Sequence, residues 1–248
     1  MVASQLTKRL SGKPDIFEVR IIYRFAYLYN RTQRLSIETM TKINFLLVED
    51  EALIREGLRS LLEKESFTKN VLEAGNRAEF REQMNKDIDI VLMDFRLLDT
   101  NGLELLGLLK QEGAYPKVIV LTGLEGTELI MNLLQCGVHG IVYKLDGYKE
   151  IIKTITKVQE VGSYFSEKVL KLIQANAHRW DNVPPVTLSF PEKELLKAIA
   201  SGLTTKEIAS ELKMSDSTAE TYRIRLIKKV GVHNTAGLLA YAYRNGIL

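Results

Sequence analysis

The 248-residue sequence contains only one cysteine, and it has no internal repeat and no low-complexity tract. The lone Cys136 excludes an intramolecular disulfide and a cysteine-based metal cluster, which fits a reducing compartment. Nowhere do the roughly 18 consecutive apolar residues of a membrane span occur, and the N-terminus lacks the apolar core of a secretory signal. We therefore expect a soluble, cytoplasmic protein with no membrane partner.

The chain also lacks a strong excess of one charge sign, since its formal net charge is +3. Residues 1–39 contain 7 basic residues (Lys and Arg) and 3 acidic residues (Asp and Glu). Residues 40–186 contain 18 basic and 22 acidic residues, and residues 187–248 contain 9 basic and 6 acidic residues. An acidic middle region is therefore followed by a basic end. Such modest imbalances fit either an ordinary solvated surface or a nucleic-acid-binding end, so the motifs must decide between them.

From Met40 to about residue 160, short apolar runs alternate with amphipathic stretches, which is typical of strands and helices that take turns around a parallel sheet. We predict an α/β domain with a five-stranded doubly wound parallel sheet. Its strands are expected at residues 43–49, 70–74, 89–94, 117–122 and 140–144. The first connection has apolar spacings of three and four, which predicts one helix face packed on the sheet. That face comprises Leu53, Ile54, Gly57, Leu58, Leu61 and Leu62.

The second half of the chain has a different pattern. Residues 147–174 predict one or two helices, and the polar stretch 176–185, which ends in two prolines, predicts a linker. From Thr187 the apolar period is helical throughout, in four short segments without a strand signal. The predicted organisation is an N-terminal extension at 1–39, an α/β domain at 40–160, a helical linker at 161–186 and a small all-α domain at 187–248.

Polar residues close four of the predicted strands: they are Glu49, Asp50, Asp94, Thr122 and Lys144. Ligands of a doubly wound sheet bind at the carboxyl ends of its strands, so we expect these side chains to converge. Three carboxylates repel one another unless a cation lies among them, and an all-oxygen site with few ligands suits Mg²⁺. The sequence therefore predicts a metal site.

A carboxylate beside Mg²⁺ can attack a phosphoryl group and form an aspartyl phosphate. Asp94 is the candidate nucleophile because it ends the most apolar strand. Thr122 could then hydrogen-bond one phosphoryl oxygen, and Lys144 could neutralise another. Taken singly, each residue also fits a role as a turn former, a strand former or a surface residue. Their joint placement favours the phosphorylation site.

Residues 40 to about 160 resemble the receiver domain of two-component response regulators. The matching segments are FLLVEDE, VLMDFRLLDTNG, VIVLTG and GIVYK, with intervals of 28 residues from Asp94 to Thr122 and 22 from Thr122 to Lys144. The resemblance implies a flavodoxin-like fold, a sensor histidine kinase that phosphorylates Asp94, and a phosphoryl group contacted by Thr122 and Lys144. The Mg²⁺ ligands that it implies are Glu49 or Asp50, Asp94 and the backbone carbonyl of Arg96.

Three positions depart from the receiver pattern. Leu98 stands four residues after the phosphoacceptor, where the family often has Pro. Ile141 stands three residues before the lysine, where the family has the aromatic residue of its conformational switch, and Tyr143 lies two residues later. Gly123 replaces the common Ala or Ser and should loosen its loop. These departures put aromatic-rotamer switching in doubt, but we still expect phosphorylation.

Within the all-α region, the segment TTKEIASEL predicts a short helix, followed by a turn and a longer helix with Ser215 as its N-cap. Such a pair of helices lays the second one in the major groove of DNA. On a helical wheel, the residues expected to pack inward are Ala219, Tyr222, Leu226 and Val230. The residues expected to face the bases are Glu220, Thr221, Ile224 and Lys228. A solvated amphipathic helix is the alternative interpretation of this segment alone.

Residues 187–248 resemble the LuxR-type helix-turn-helix domain that ends NarL/FixJ-family regulators. The match runs through Glu194, Gly202-Leu203, Lys206-Glu207-Ile208-Ala209, Ser215, Thr218 and residues 226–231, and Tyr222 stands where the family commonly has His. The resemblance implies binding to double-stranded DNA and a last helix, at about 235–244, that pairs two monomers. The predicted DNA contacts are Thr205, Lys206, Ser215, Thr218, Glu220, Thr221, Arg223, Ile224, Arg225, Lys228 and Lys229.

Basic residues of this set can contact phosphates without reading sequence. Glu220 could accept a hydrogen bond from a cytosine amino group, worth roughly 1–3 kcal/mol of discrimination. Residues 1–39 precede the family's usual start. They represent either an upstream start codon chosen in error or a basic arm that touches DNA or a membrane.

We therefore expect a response regulator, not an enzyme, in which phosphorylation at Asp94 frees or dimerises the DNA-binding domain. A phosphatase of the haloacid dehalogenase type is disfavoured, because it places a second Asp where Arg96 stands. A quorum-sensing regulator would share the DNA-binding domain but would not need the acidic residues. A regulator that binds DNA whatever its phosphorylation state stays open.

Overall fold

The computed structural model describes residues 42–84, 86–113, 116–123, 126–180 and 186–248. It contains an α/β domain followed by an all-α domain, which confirms the predicted fold class. The expectations for residues 1–39 lie outside the described residues, and the domain limits stay predictions. In the part of the chain that the structure describes, no helix combines the length and the apolar character that crossing a membrane requires.

Five parallel strands form one sheet in the order β2-β1-β3-β4-β5. They are β1 (Ile43–Val48), β2 (Thr68–Ala74), β3 (Ile90–Asp94), β4 (Lys117–Thr122) and β5 (Gly140–Tyr143). Every residue of β1, β3 and β5 is buried, because helices cover both faces of the sheet. The strand order reverses between β1 and β3, which places a ligand-binding crevice at their carboxyl ends.

Four helices connect these strands, a fifth follows β5, and together they cover the sheet. They are α1 (Ala52–Leu62), α2 (Arg77–Gln83), α3 (Gly102–Gln111), α4 (Thr127–Cys136) and α5 (Gly147–Val161). Apolar residues of α1 and α5 pack on one face of the sheet, and those of α2, α3 and α4 pack on the other. The sheet therefore lies between two helical layers, as the alternating pattern predicted.

The predicted apolar face of α1 is only partly correct. Leu62 is fully buried and Leu58 is partly buried, whereas Leu53 is 84% exposed and Leu61 is 39% exposed. At 3.6 residues per turn, Leu53 lies about 180° around the helix from Leu62, and Leu61 about 100°. A single helix on a sheet buries only a narrow stripe, so these two leucines point away from the sheet.

After α5 the chain forms α6 (Glu167–Ala175) and a short 3₁₀ helix, Ala177–Arg179. Val169 and Ile173 of α6 are fully buried and belong to the same apolar cluster as α2, α3 and α4. The helix predicted for this region is therefore confirmed. It packs against the α/β domain because it has an apolar face to bury there.

The C-terminal region contains four helices, as predicted. They are α7 (Phe190–Ala200), α8 (Thr205–Glu211), α9 (Asp216–Val230) and α10 (Thr235–Arg244). Thr204 forms a capping box with Glu207 at the start of α8. Ser215 caps α9 by accepting a hydrogen bond from the Thr218 amide, as its position predicted. Between the two helices, Lys213 takes a left-handed conformation with φ 54°.

Candidate functional site

The three predicted acidic residues meet at the carboxyl ends of β1 and β3. Glu49 follows β1 and is fully buried, Asp94 ends β3 and is 6% exposed, and Asp50 is partly exposed. One carboxylate oxygen of each lies within 4.8 Å of the other two. Three carboxylate oxygens this close fit a divalent cation such as Mg²⁺.

Lys144, directly after β5, completes this acidic cluster. Its Nζ donates hydrogen bonds of 2.9 Å to Glu49 Oε2 and of 2.9 Å to Asp94 Oδ2. Burial lowers the pKa of Lys144, but these two bonds and the negative charges of Glu49 and Asp94 together outweigh burial, and the pKa is raised. Burial also raises the pKa of Glu49, in part offset by the Lys144 bond. The lysine therefore stabilises carboxylates that would otherwise repel each other.

A cavity of about 660 Å³ opens above Asp94. Its lining includes the predicted residues Asp50, Arg96, Thr122 and Lys144, and Glu49 lies beneath it, bonded to Lys144. Thr122 ends β4 and is 1% exposed. The fold therefore brings all the residues predicted for phosphoryl and metal binding to one place. A phosphoryl group or a cation could reach the Asp94 carboxylate from this cavity.

Leu98, where the family often has Pro, makes a contact that Pro cannot make. Its backbone N–H donates a 3.0 Å hydrogen bond to Asp50 Oδ2, and its side chain is 94% exposed. Proline has no N–H to donate. The replacement therefore supplies a hydrogen bond that holds the Asp50 carboxylate at the edge of the site. Sequence analysis missed this role, because the contact joins residues 48 positions apart.

Ile141 at the family's switch position and Tyr143 beside Lys144 both lie in the interior. The ring of Tyr143 lies under Lys168 Nζ of α6, 4.0 Å from the ring centroid. A cation over an aromatic face is attracted by the negative face of the ring. The residue beside Lys144 thus contacts a helix outside the sheet. No sequence motif links Tyr143 to Lys168.

Helix α9 presents most of its predicted DNA-facing residues to solvent. Thr221, Ile224, Arg225 and Lys228 are exposed. The prediction that Tyr222 packs inward is wrong, since it is 38% exposed. At 100° per residue, Tyr222 lies about 60° around the helix from Ala219 and about 80° from Val230, at the edge of the buried stripe. A second face of α9 lies against the α/β domain. The predicted inward positions Ala219, Leu226 and Val230 are confirmed as buried.

That second face of α9 is occupied by Arg223, whose side chain is only 14% exposed. Its guanidinium lies against Gly162 at the end of α5, and it also bonds Glu220 Oε1 at 2.5 Å. A Cβ atom added to Gly162 would lie less than 3 Å from Cζ and both terminal nitrogens of Arg223. Gly162 also has φ +79°, which favours glycine. Both features suit a close approach of the Arg223 side chain to the end of α5.

Other polar contacts hold the two domains together. Thr205 Oγ1 donates a 2.6 Å hydrogen bond to the carbonyl of Glu160, and Lys157 Nζ lies 3.7 Å from Glu207 Oε2. Asn234 Nδ2 donates to the carbonyl of Leu134 in α4, at 3.2 Å. Two predicted DNA contacts, Thr205 and Arg223, therefore face the α/β domain in this conformation.

The remaining predicted DNA contacts lie in three settings. Lys206 lines a cavity between the domains, and Thr218 shares a 2.7 Å hydrogen bond with the Ser215 hydroxyl at the start of α9. Lys229 donates to both carboxylate oxygens of Glu192 in α7, at 2.7 and 2.8 Å. That pairing leaves Lys229 engaged within its own domain.

Helix α10, predicted to pair two monomers, is covered within one chain. Residues 235–242 are all buried, and the helix contacts both α4 and α6. Ala236, Leu239 and Ala240 belong to the same apolar cluster as the α/β domain, while Leu238 and Tyr241 face the core of the C-terminal domain. The same helix therefore contributes to two cores at once.

The chain matches two protein-family models. The response regulator receiver domain matches residues 45–156, and the family of bacterial regulatory proteins of the luxR type matches residues 186–242. The transcriptional regulatory protein MctR of Rhizobium johnstonii is 31% identical over 209 residues, which cover 84% of this chain and 96% of MctR. The nitrate/nitrite response regulator protein NarP of Escherichia coli is 28% identical over 196 residues, covering 78% and 91% of the two chains.

Solved structures show the same fold. RcsB from Salmonella enterica serovar Typhimurium, bound to a promoter in the presence of the phosphomimetic BeF3-, has a TM-score of 0.51 and 23% identity, and the match covers 82% of this chain and 98% of RcsB. A structure of two RcsB dimers bound to two parallel DNAs also has a TM-score of 0.51, with 81% and 98% covered at 23% identity.

Proposed function

The chain belongs to the NarL/FixJ family of response regulators, which regulate transcription, and from this premise we propose that phosphorylation of Asp94 releases a DNA-binding domain held against the receiver. The observation that carries the proposal is Lys144, whose Nζ bonds both Glu49 and Asp94 at the base of an open cavity. A buried carboxylate with a cation beside it and space above it suits an incoming phosphoryl group.

The phosphoryl donor that we propose is the phosphohistidine of a sensor histidine kinase. An Asp94 carboxylate oxygen attacks the phosphorus atom, the new P–O bond forms as the P–N bond breaks, and the released imidazole takes up a proton. Lys144 then donates to a phosphoryl oxygen, and the Thr122 hydroxyl donates to another. Mg²⁺ bound by Glu49, Asp50, Asp94 and the Arg96 carbonyl would neutralise charge on the phosphoryl oxygens.

We further propose that Tyr143 couples phosphorylation to the conformational change of the receiver, a role that the family assigns to an aromatic residue at position 141. Tyr143 is adjacent to Lys144, its ring lies under Lys168 of α6, and α6 contacts α10. A shift of Lys144 towards a phosphoryl group would move Tyr143, and with it the contact to α6. In this way phosphorylation of the receiver would change the contact between α6 and α10, the helix predicted to pair two monomers.

In the released state, α9 enters the major groove of double-stranded DNA and α10 pairs two chains. The contacts that close the domains involve Thr205 and Arg223, two of the residues predicted to touch DNA. Closed and DNA-bound conformations therefore compete for the same side chains. Phosphorylation shifts the population towards the open form.

The test compares wild type with Asp94→Asn after incubation with acetyl phosphate and Mg²⁺. Intact-mass analysis should show a gain of about 80 Da, one phosphoryl group, in wild type only. Phosphorylated wild type should then bind promoter DNA at least about tenfold more tightly, a difference of about 1.4 kcal/mol, and as a dimer. The mechanism is wrong if both forms of the wild type bind with equal affinity and stoichiometry. A mass gain in Asp94→Asn would place the phosphoryl group elsewhere.

A further inference from the structure

A cleft of about 530 Å³ lies between the receiver and the DNA-binding domain. The receiver contributes Lys110 near the end of α3, Lys117 at the start of β4 and His139 before β5. The DNA-binding domain contributes Arg223 of α9 and His233 before α10. The complete lining exists only when the domains are closed, because it comes from both.

The lining of this cleft is positively charged. It contains two lysines and an arginine, and among the described residues that line it there is no carboxylate. Burial lowers the pKa of Lys117 and the charge of Arg223 lowers it further, against smaller opposing effects of Glu220 and Asp89. Burial, together with the positive charges of Lys117 and Arg223, lowers the pKa of His139 to about 4. Glu220 does bond Arg223, but it lines the neighbouring cavity.

Lys117 and Arg223 repel each other, and the carboxylate of Glu220 offsets part of this positive charge, so an added anion in the cleft would stabilise the pair further. Lys117 Nζ donates to the carbonyls of Val158 and Gln159, at 3.1 and 3.4 Å, and an ammonium group has a third N–H. The volume falls in the range of roughly 300–1,000 Å³ that small-molecule sites occupy. The cleft is therefore large enough for more than a single small ion.

We propose that this cleft binds a small molecule that carries an oligophosphate group, such as inorganic triphosphate or a nucleoside triphosphate. Lys110, Lys117 and Arg223 supply the positive charge, and phosphate oxygens accept the hydrogen bonds. Because the site is assembled from both domains, its ligand binds the closed conformation better than the open one. By linkage, the ligand must then oppose DNA binding. Only this last consequence rests on the proposed function.

The experiment is isothermal titration calorimetry of the full chain with inorganic triphosphate, in Mg²⁺-free buffer at constant ionic strength. We expect one site per chain. Lys110→Gln should weaken binding about fivefold and Lys117→Gln about tenfold or more, in line with the loss of one charge-assisted contact. The matched control is Lys69→Gln, an exposed residue on β2 at the opposite edge of the sheet, which should leave binding unchanged. Lys110 is exposed, so its variant tests the site even if Lys117→Gln does not fold.

Two results would overturn the proposal. One is the absence of binding to wild type. The other is binding that Lys110→Gln and Lys117→Gln leave unchanged, since the anion would then occupy only the basic surface of α9. A second titration with a nucleoside triphosphate shows whether the rest of the molecule adds affinity. These measurements need neither phosphorylation nor DNA, so a failure here is separate from a failure of the Asp94 mechanism.

Discussion

At the scale of single residues, the charge balance of the acidic cluster depends on Lys144. The Glu49 side chain is 1% exposed and the Asp94 side chain 9%, so water screens their repulsion poorly. Lys144 is their shared partner and is itself 28% exposed. Removal of one partner from a buried ion pair leaves a charge that the surroundings do not compensate.

Lys144→Met should therefore destabilise the protein in a pH-dependent way. Without the lysine, burial and Asp94 raise the pKa of Glu49 further above its ordinary value, so the folded state takes up a proton that the unfolded state does not hold. Stability of the variant then increases as the pH falls towards that raised pKa. Urea unfolding without metal should show a loss of about 2 kcal/mol near pH 8, below the value for a fully buried pair because Lys144 is partly exposed, and a smaller loss near pH 5.5.

Lys149→Met, at an exposed position of α5, is the control and should change little at either pH. An equal loss of stability for Lys144→Met at both pH values would show that the pKa of Glu49 in the folded state does not depend on the lysine.

At the scale of secondary-structure elements, the decisive feature is the docking of α9 on the end of α5. Arg223 reaches Gly162 only because that residue has no side chain. The helical wheel predicted three of four inward positions of α9 correctly and failed at Tyr222. Tyr222 lies at the edge of the buried stripe of α9, and the burial of Arg223 depends on a second domain that a wheel of one helix does not describe.

Gly162→Ala should open this interface. The new methyl group would displace the Arg223 guanidinium, so unphosphorylated protein should bind promoter DNA at least about fivefold more tightly, a change of about 1 kcal/mol. Gly113→Ala is the matched control, since Gly113 also has a positive φ but has no atom within 4 Å of an added Cβ. Both variants carry a backbone cost of about 1 kcal/mol. Fluorescence anisotropy with labelled DNA measures the difference, and equal affinities for the two variants would contradict the docking role of Arg223.

At the scale of the whole molecule, α10 links the two domains through their apolar cores. Its buried residues pack against α4 and α6 of one domain and against the core of the other. Exposure of this helix on opening would uncover apolar surface, and pairing with a second chain would bury it again. Opening and dimer formation are therefore expected to occur together.

The single tryptophan, Trp180, reports this opening. It is partly buried, its Nε1 would lie 3.3 Å from a Cβ added to Gly237 of α10, and its carbonyl accepts a hydrogen bond from Arg244 Nη1 at 3.5 Å. Phosphorylation should shift the emission maximum of Trp180 to longer wavelength, because the indole becomes more exposed to water. Asp94→Asn treated in the same way should show no shift. A gain in DNA affinity with unchanged emission would mean that the domains do not separate at α10.

Sequence alone determined the strand and helix alternation, the acidic residues at the strand ends, the Ser215 cap and the four helices of the second domain. These features depend on local periodicity and on neighbours a few residues apart, which a sequence displays directly. The tertiary structure alone decided that Lys144 bonds Glu49 and Asp94, that Leu98 holds Asp50, and that Arg223 lies against Gly162. Each of those contacts joins residues about 50 or more positions apart in the chain, so only the packing of distant elements brings them together.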